Sequence, residues 1–160
     1  MSIPQSVRAS KAIAHDEHYE GEIPFAQLER LAANSAGGGR IRAQWRAGRD
    51  AAGHPQMLAR IEGSVDLVCQ RCLKTFAWPM AIDSKLRLVS NDREAAEVLQ
   101  DCEPYEVHDD ALPLREMTED EVLLALPLMP RCKTCENSDQ AAPPEPQRPN
   151  PFAALKKLKF

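Results

Sequence analysis

Four of the five cysteines in this 160-residue chain fall into two Cys-x-x-Cys units, Cys69-Gln70-Arg71-Cys72 and Cys132-Lys133-Thr134-Cys135. Two thiols at this spacing can point at one ion across a tight turn, and two such pairs supply the four sulfurs of a tetrahedral structural zinc site. The 59 residues between the pairs far exceed the ~15–20 of a contiguous zinc ribbon. A shared site therefore requires the fold to bring the segment after Pro130 back beside the first pair. Free thiols and a redox pair are the alternatives, although neither unit opens a helix after a strand in the thioredoxin manner. Arg71 and Lys74 would offset the charge of four thiolates, and Cys102 stands alone in an acidic stretch.

The hydrophobic pattern around the first pair is that of a sheet. Ile41, Ala43, Trp45 and Ala47 alternate with Arg40, Arg42, Gln44 and Arg46, a period of two with one apolar and one basic face. Ala59, Ile61, Val65 and Leu67 alternate with Arg60, Glu62, Ser64 and Asp66, with Gly63 on the apolar row as a candidate bulge. Phe76, Trp78, Met80, Ile82, Leu86 and Leu88 form a third row, and Pro79 marks it as an edge or a kinked start. The first Cys-x-x-Cys thus falls in the connection between two antiparallel strands.

Two helices flank these rows. Pro24 suits a first helical turn, and Phe25, Leu28, Leu31 and Ala32 share a face over residues 24–33. The more convincing helix spans 113–126. Thr118 and Glu121 have the spacing of a capping box, an earlier start at Pro113 is equally consistent, and Leu114, Met117 and Leu124 line one face. Residues 91–104 read as an acidic loop with one helical turn near Ala95, and residues 105–108 as a short strand. The architecture expected is a single α+β domain over 1–135, a small antiparallel sheet with a packed helix. A disordered, proline-rich linker over 136–148 and a C-terminal docking motif over 149–160 make a flexible tail. In that motif Phe152, Leu155 and Leu158 share a face beside Lys156, Lys157 and Lys159, and Phe152 and Leu155 are the anchors expected to meet a partner.

Three stretches together resemble one family: Val65-Asp-Leu-Val-Cys-Gln-Arg-Cys-Leu-Lys-Thr-Phe76, Glu119-Asp-Glu-Val-Leu-Leu-Ala-Leu-Pro-Leu-Met-Pro130, and Pro149-Asn-Pro-Phe-Ala-Ala-Leu155. In this order they are similar to the bacterial YceD family, the large ribosomal RNA subunit accumulation proteins. The resemblance implies a cytoplasmic role in synthesis or accumulation of large-subunit (23S) ribosomal RNA and no catalytic chemistry. Its partners would be the RNA precursor or a ribosome-assembly protein. A zinc-stabilised interaction module with another client, or a thiol redox protein, are the alternatives.

Charge distribution bears on these partners. The net charge is only −4, but residues 90–121 hold twelve acids and two arginines, a local −10, between mildly basic ends. If the strands pair as read, Arg40, Arg42, Arg46 and Arg60 share one sheet face, where they could meet RNA phosphates. Asp109-Asp110 and Glu119-Asp120-Glu121 would cap a helix or face a basic partner. No phosphate loop, dinucleotide-binding glycines or Ser/His/Asp pattern is present. No apolar run reaches the ~18 residues of a membrane span, and residues 1–14 lack a signal-type apolar core. A soluble protein of the reducing cytoplasm is expected, with no membrane partner.

Overall fold

The computed structural model describes residues 2–98 and 102–138. Phe152 and Leu155, and residues 139–148 of the linker expected over 136–148, lie outside them, whereas its first three residues, 136–138, are helical. The elements run β1 (Val7–Arg8), α1 (Ala9–Ala14), β2 (His18–Ile23), α2 (Glu29–Ala33), β3 (Gly39–Arg49), β4 (Pro55–Val68), β5 (Thr75–Val89), α3 (Asp92–Val98), β6 (Glu103–Glu106), β7 (Ala111–Leu112), α4 (Leu114–Ala125) and α5 (Lys133–Ser138). They form an α+β domain. Strands β2-β3-β4-β5-β6 make one sheet in that order, and β1 pairs with β7 in a two-stranded ribbon. The first three pairings of the main sheet are antiparallel, whereas β6 joins β5 in parallel through α3, with Leu86 opposite Glu103.

The alternating rows predicted from sequence set the faces. Ile41, Ala43, Trp45 and Ala47 of β3 are buried with Met57, Ala59, Ile61, Val65 and Leu67 of β4 and Met80, Leu86 and Leu88 of β5. Phe76, Trp78 and Ile82 on the same row are half-buried. Gly63 is not a bulge, because the register runs unbroken from Arg40↔Ser64 through Ile41↔Gly63. Its φ is +149°, and a Cβ there would stand 1.9 Å from the Arg40 carbonyl oxygen. Close approach of two backbones is what demands glycine. Pro79 lies where β5 has only β4 beside it among the described residues, since β6 pairs with β5 only from Leu86 onward. Open edges of this kind are where a missing N–H is tolerated.

The helices cover the apolar face. Leu28 and Leu31 are fully buried as the pattern of 24–33 requires, but the segment divides into a 3₁₀ turn, Phe25–Gln27, and α2. In α4 the start at Pro113 holds and the capping box does not, because Thr118 sits one turn inside the helix. Its hydroxyl donates to the Leu114 carbonyl at 2.7 Å and accepts the Trp45 indole N–H at 2.9 Å. Leu124, expected on the apolar face, is 77% exposed, and Val122 is buried in its stead.

The acidic clusters do cap helices, but not their own. Neither Arg8 before α1 nor Leu28 before α2 makes a side-chain cap. Asp110 accepts the Ser10 N–H at 2.7 Å and the Ser10 hydroxyl at 2.6 Å. These bonds, with Arg8 alongside, hold its carboxyl below the usual carboxylate range. Glu119 on α4, only 5% exposed, accepts the Leu31 N–H at 2.9 Å and the Arg30 guanidinium at 2.9 Å. Each supplies across the fold the acceptor that a helix start lacks locally.

Replacing Thr118 by valine keeps the shape but leaves the buried Trp45 N–H without an acceptor. T118V is expected to cost about 1–3 kcal/mol, read as a lower urea midpoint with an unchanged slope. An unaltered midpoint would show that the indole bond contributes nothing.

Candidate metal centre

β4 and β5 form a long hairpin paired from Gln56↔Arg87 to Val68↔Thr75, and the first Cys-x-x-Cys is its turn. The turn is closed by Cys69 N–H to Lys74 O at 3.0 Å and Leu73 N–H to Cys69 O at 2.9 Å. Leu73 takes φ +60° and is 74% exposed. That conformation costs a non-glycine residue roughly 1–2 kcal/mol, so the turn is held by its surroundings and not by local preference.

The second pair is delivered by α4. After Ala125 the chain passes Pro127 and Pro130 and begins α5, where the N–H groups of Cys135 and Glu136 bond to the Cys132 carbonyl at 2.9 and 3.0 Å. Hydrogen bonds tie the segments together, among them Gln70 N–H to Pro130 O at 2.9 Å and Arg71 to Cys135 O at 3.1 Å. The Sγ atoms of Cys69, Cys72, Cys132 and Cys135 then all lie within 4.8 Å of one another. All four are free thiols. Cys72 and Cys132 stand 3.8 Å apart. A disulfide would need ~2.05 Å, whereas sulfurs at ~2.3 Å from a tetrahedral ion are separated by about 3.8 Å. Sequence spacing left open whether the pairs meet, and the fold brings them into one cage able to hold a metal ion.

The cage is electrostatically uneven. Backbone N–H groups of Cys132 and Cys72, and then Arg71, bond to the Cys69 sulfur and lower its pKa to about 6. Cys69 itself is fully buried. Removal from water, followed by hydrogen bonds with the other three cysteines, raises Cys135 to about 12. Within the cage Cys69 thus ionises more readily than an ordinary thiol and Cys135 less readily, and a bound cation would favour the thiolate form.

Residues 57–159 match the family model described as large ribosomal RNA subunit accumulation protein YceD, a span that contains both cysteine pairs. The chain belongs to the YceD family. A YceD relative from Haemophilus influenzae, named large ribosomal RNA subunit accumulation protein YceD, is 34% identical over 112 residues, covering 64% of this chain and 64% of the relative. The shared region is thus a little under two thirds of that YceD protein's length. No solved structure matches.

The other predicted site residues have a mixed placement. Arg40, Arg42, Arg46 and Arg60 do share the exposed sheet face. Three of them are engaged by glutamates: Arg40 with Glu22 at 2.8 Å, Arg42 with Glu20, and Arg60 with Glu62 at 2.7 Å. Arg46 lies beside His18 of β2 and Leu58 of β4, and Leu58 in turn faces Lys85 of β5. Sequence reasoning missed the strained Leu73 and the Pro130 carbonyl that docks the two segments. A leucine following Cys-x-x-Cys, where a turn favours glycine, was the available signal for the first. No helix among the described residues is long and apolar enough to cross a membrane.

The thiol shifts set a pH profile for the metal-free protein. Cys69 is depressed from 9.0 to about 6, so its contribution to stability is present above pH 9 and lost as pH falls through 6. Cys135 is raised from 9.0 to about 12, so stability declines as pH rises from 9 toward 12. Urea unfolding of metal-free protein should therefore show a maximum near pH 9 that is flattened in C69S. A profile identical in the two proteins would show that the Cys69 thiolate is not stabilised by the fold.

Proposed function

We propose that this protein is a zinc-stabilised, non-catalytic factor in the accumulation of large-subunit (23S) ribosomal RNA, acting in the cytoplasm by binding. The observation that carries the reading is the position of the four-sulfur cage, wholly inside the segment that matches a family described by large-subunit ribosomal RNA accumulation. Zinc suits the cage because it takes four thiolates in a tetrahedron without redox chemistry. Bound zinc would offset two of the four thiolate charges and fasten the 126–138 segment to the hairpin tip. The partner is the RNA precursor or a protein of ribosome assembly.

RNA phosphates would be met on the exposed sheet face. Arg46 and Lys85 supply most of the attraction there, because no ion pair among the described residues engages either of them. Arg40, Arg42 and Arg60 would have to exchange a glutamate for a phosphate, which reduces their net contribution.

Three measurements test this. Protein purified from cells should carry one zinc per chain, and its chelation should lower hydrogen-exchange protection over 126–138 while the sheet stays protected; zinc-free, fully folded protein would remove the metal from the reading. Binding to large-subunit precursor RNA should weaken with salt, and the R46A/K85A double variant should reduce the log–log salt slope by about 1–2; an unchanged slope would move the RNA contact elsewhere. Depleting the protein should lower mature 23S RNA with 16S RNA unchanged, and equal levels of both would overturn the proposed pathway.

A further inference from the structure

We infer that the C-terminal segment 149–160 docks on its own domain, in an acid-rimmed apolar groove between α4 and the β5–β6 edge. The groove encloses about 400 Å³ and is walled by Tyr105, Leu123 and Leu124, with Glu103, Asp120 and Glu121 around it. Leu124 explains itself poorly otherwise: it is a large apolar side chain, 77% exposed, on the longest helix of the domain. Tyr105 beside it is half-buried. Asp120 is partly engaged by Arg30 at 2.5 Å, which leaves Glu103 and Glu121 as the principal rim charges.

The occupant is chosen by charge and by reach. Segment 149–160 offers Phe152, Leu155 and Leu158 at three-residue spacing, carries Lys156, Lys157 and Lys159, and contains no acid. It matches an apolar slot with an anionic rim. The second apolar groove, about 330 Å³ between α1 and the end of β5, is edged by Arg49 and would repel it. Leu124 and Cys132 are eight residues apart, hence at most about 28 Å, and α5 adds about 9 Å. The fourteen residue steps from Ser138 to Phe152 extend to about 46–50 Å. The tether therefore spans the distance with slack. It also holds the segment at an effective concentration on the order of mM, so a contact too weak to keep a separate peptide is filled within the chain.

The test uses the full-length protein. Amide spectra of wild type and of F152D/L155D are compared, with hydrogen exchange on both. The expected result is that Tyr105, Leu123 and Leu124 resonances shift in the variant, β3 resonances do not, and protection of 152–158 is lost. The reciprocal change L124D, at an exposed position where the fold is retained, should release the tail equally, as should the charge reversal E103K/E121K. All of these effects should be independent of dilution. Groove resonances that ignore the tail substitutions would overturn the inference. So would shifts that vanish on dilution together with a fall in particle mass, since the occupant would then be a second copy of the chain.

Discussion

Two adjacent polar side chains on one turn of α4 hold this domain together. Thr118 meets the sheet through the Trp45 indole, and Glu119 meets α2 through the Leu31 N–H and Arg30. Both residues are buried, so each unmade bond would leave a desolvated donor at about 1–3 kcal/mol. With α4 fixed in two directions, little freedom remains downstream. Pro127 and Pro130 restrict the six residues between Ala125 and Cys132, each also biasing its predecessor to extended backbone. The second cysteine pair and the groove beside Leu124 are both consequences of where α4 lies.

The same logic accounts for the acidic middle of the chain. A local charge of −10 would be costly as a bare surface. Here Asp110 and Glu119 lie against the starts of α1 and α2, helices too short to be stable alone and without caps of their own. Other acids, Asp120 among them, form ion pairs with cations from earlier in the chain. Glu103 and Glu121 stand at the groove between α4 and β6, while Arg40, Arg42, Arg46 and Arg60 lie on the exposed face of the sheet.

The strand faces were legible because burial on one side of a sheet imposes strict alternation, and β3, β4 and β5 keep it for many residues. The meeting of the cysteine pairs was legible only as a possibility: spacing names the chemistry, and the hydrogen bond from Gln70 to the Pro130 carbonyl, invisible in sequence, supplies the encounter. β2 escaped notice because its outward row, His18, Glu20 and Glu22, is polar and its inward row contains Gly21. The parallel entry of β6 depends on α3 as a crossover, and four residues hold too little pattern to reveal direction. The apparent capping box failed because Thr118 found a buried donor in a distant strand, a tertiary demand that outweighed the local one. Leu124 was misplaced for a related reason. Anchoring by Thr118 and Glu119 rotates Val122 into the core and turns Leu124 out.

The effect of a metal in the cage follows from this order of anchoring. A cross-link between cysteine pairs 59 residues apart would contribute greatly if the intervening loop were otherwise free, since closure entropy grows with loop length. That loop is not free in the folded protein, because it contains β5, the crossover strand and α4, all packed on the core before the cage is reached. What the ion adds is local: it holds the 126–138 segment against a hairpin tip whose own turn contains a leucine in the left-handed region. Its charge also offsets part of that of the thiolates it draws together. Metal loss should accordingly loosen the tip and the segment that carries the tail while leaving sheet and α4 intact. Any control that the cage exerts on binding would then act through the position of that segment, at the tip of the β4–β5 hairpin, ten residues along β4 from the Leu58 that faces Arg46 and Lys85.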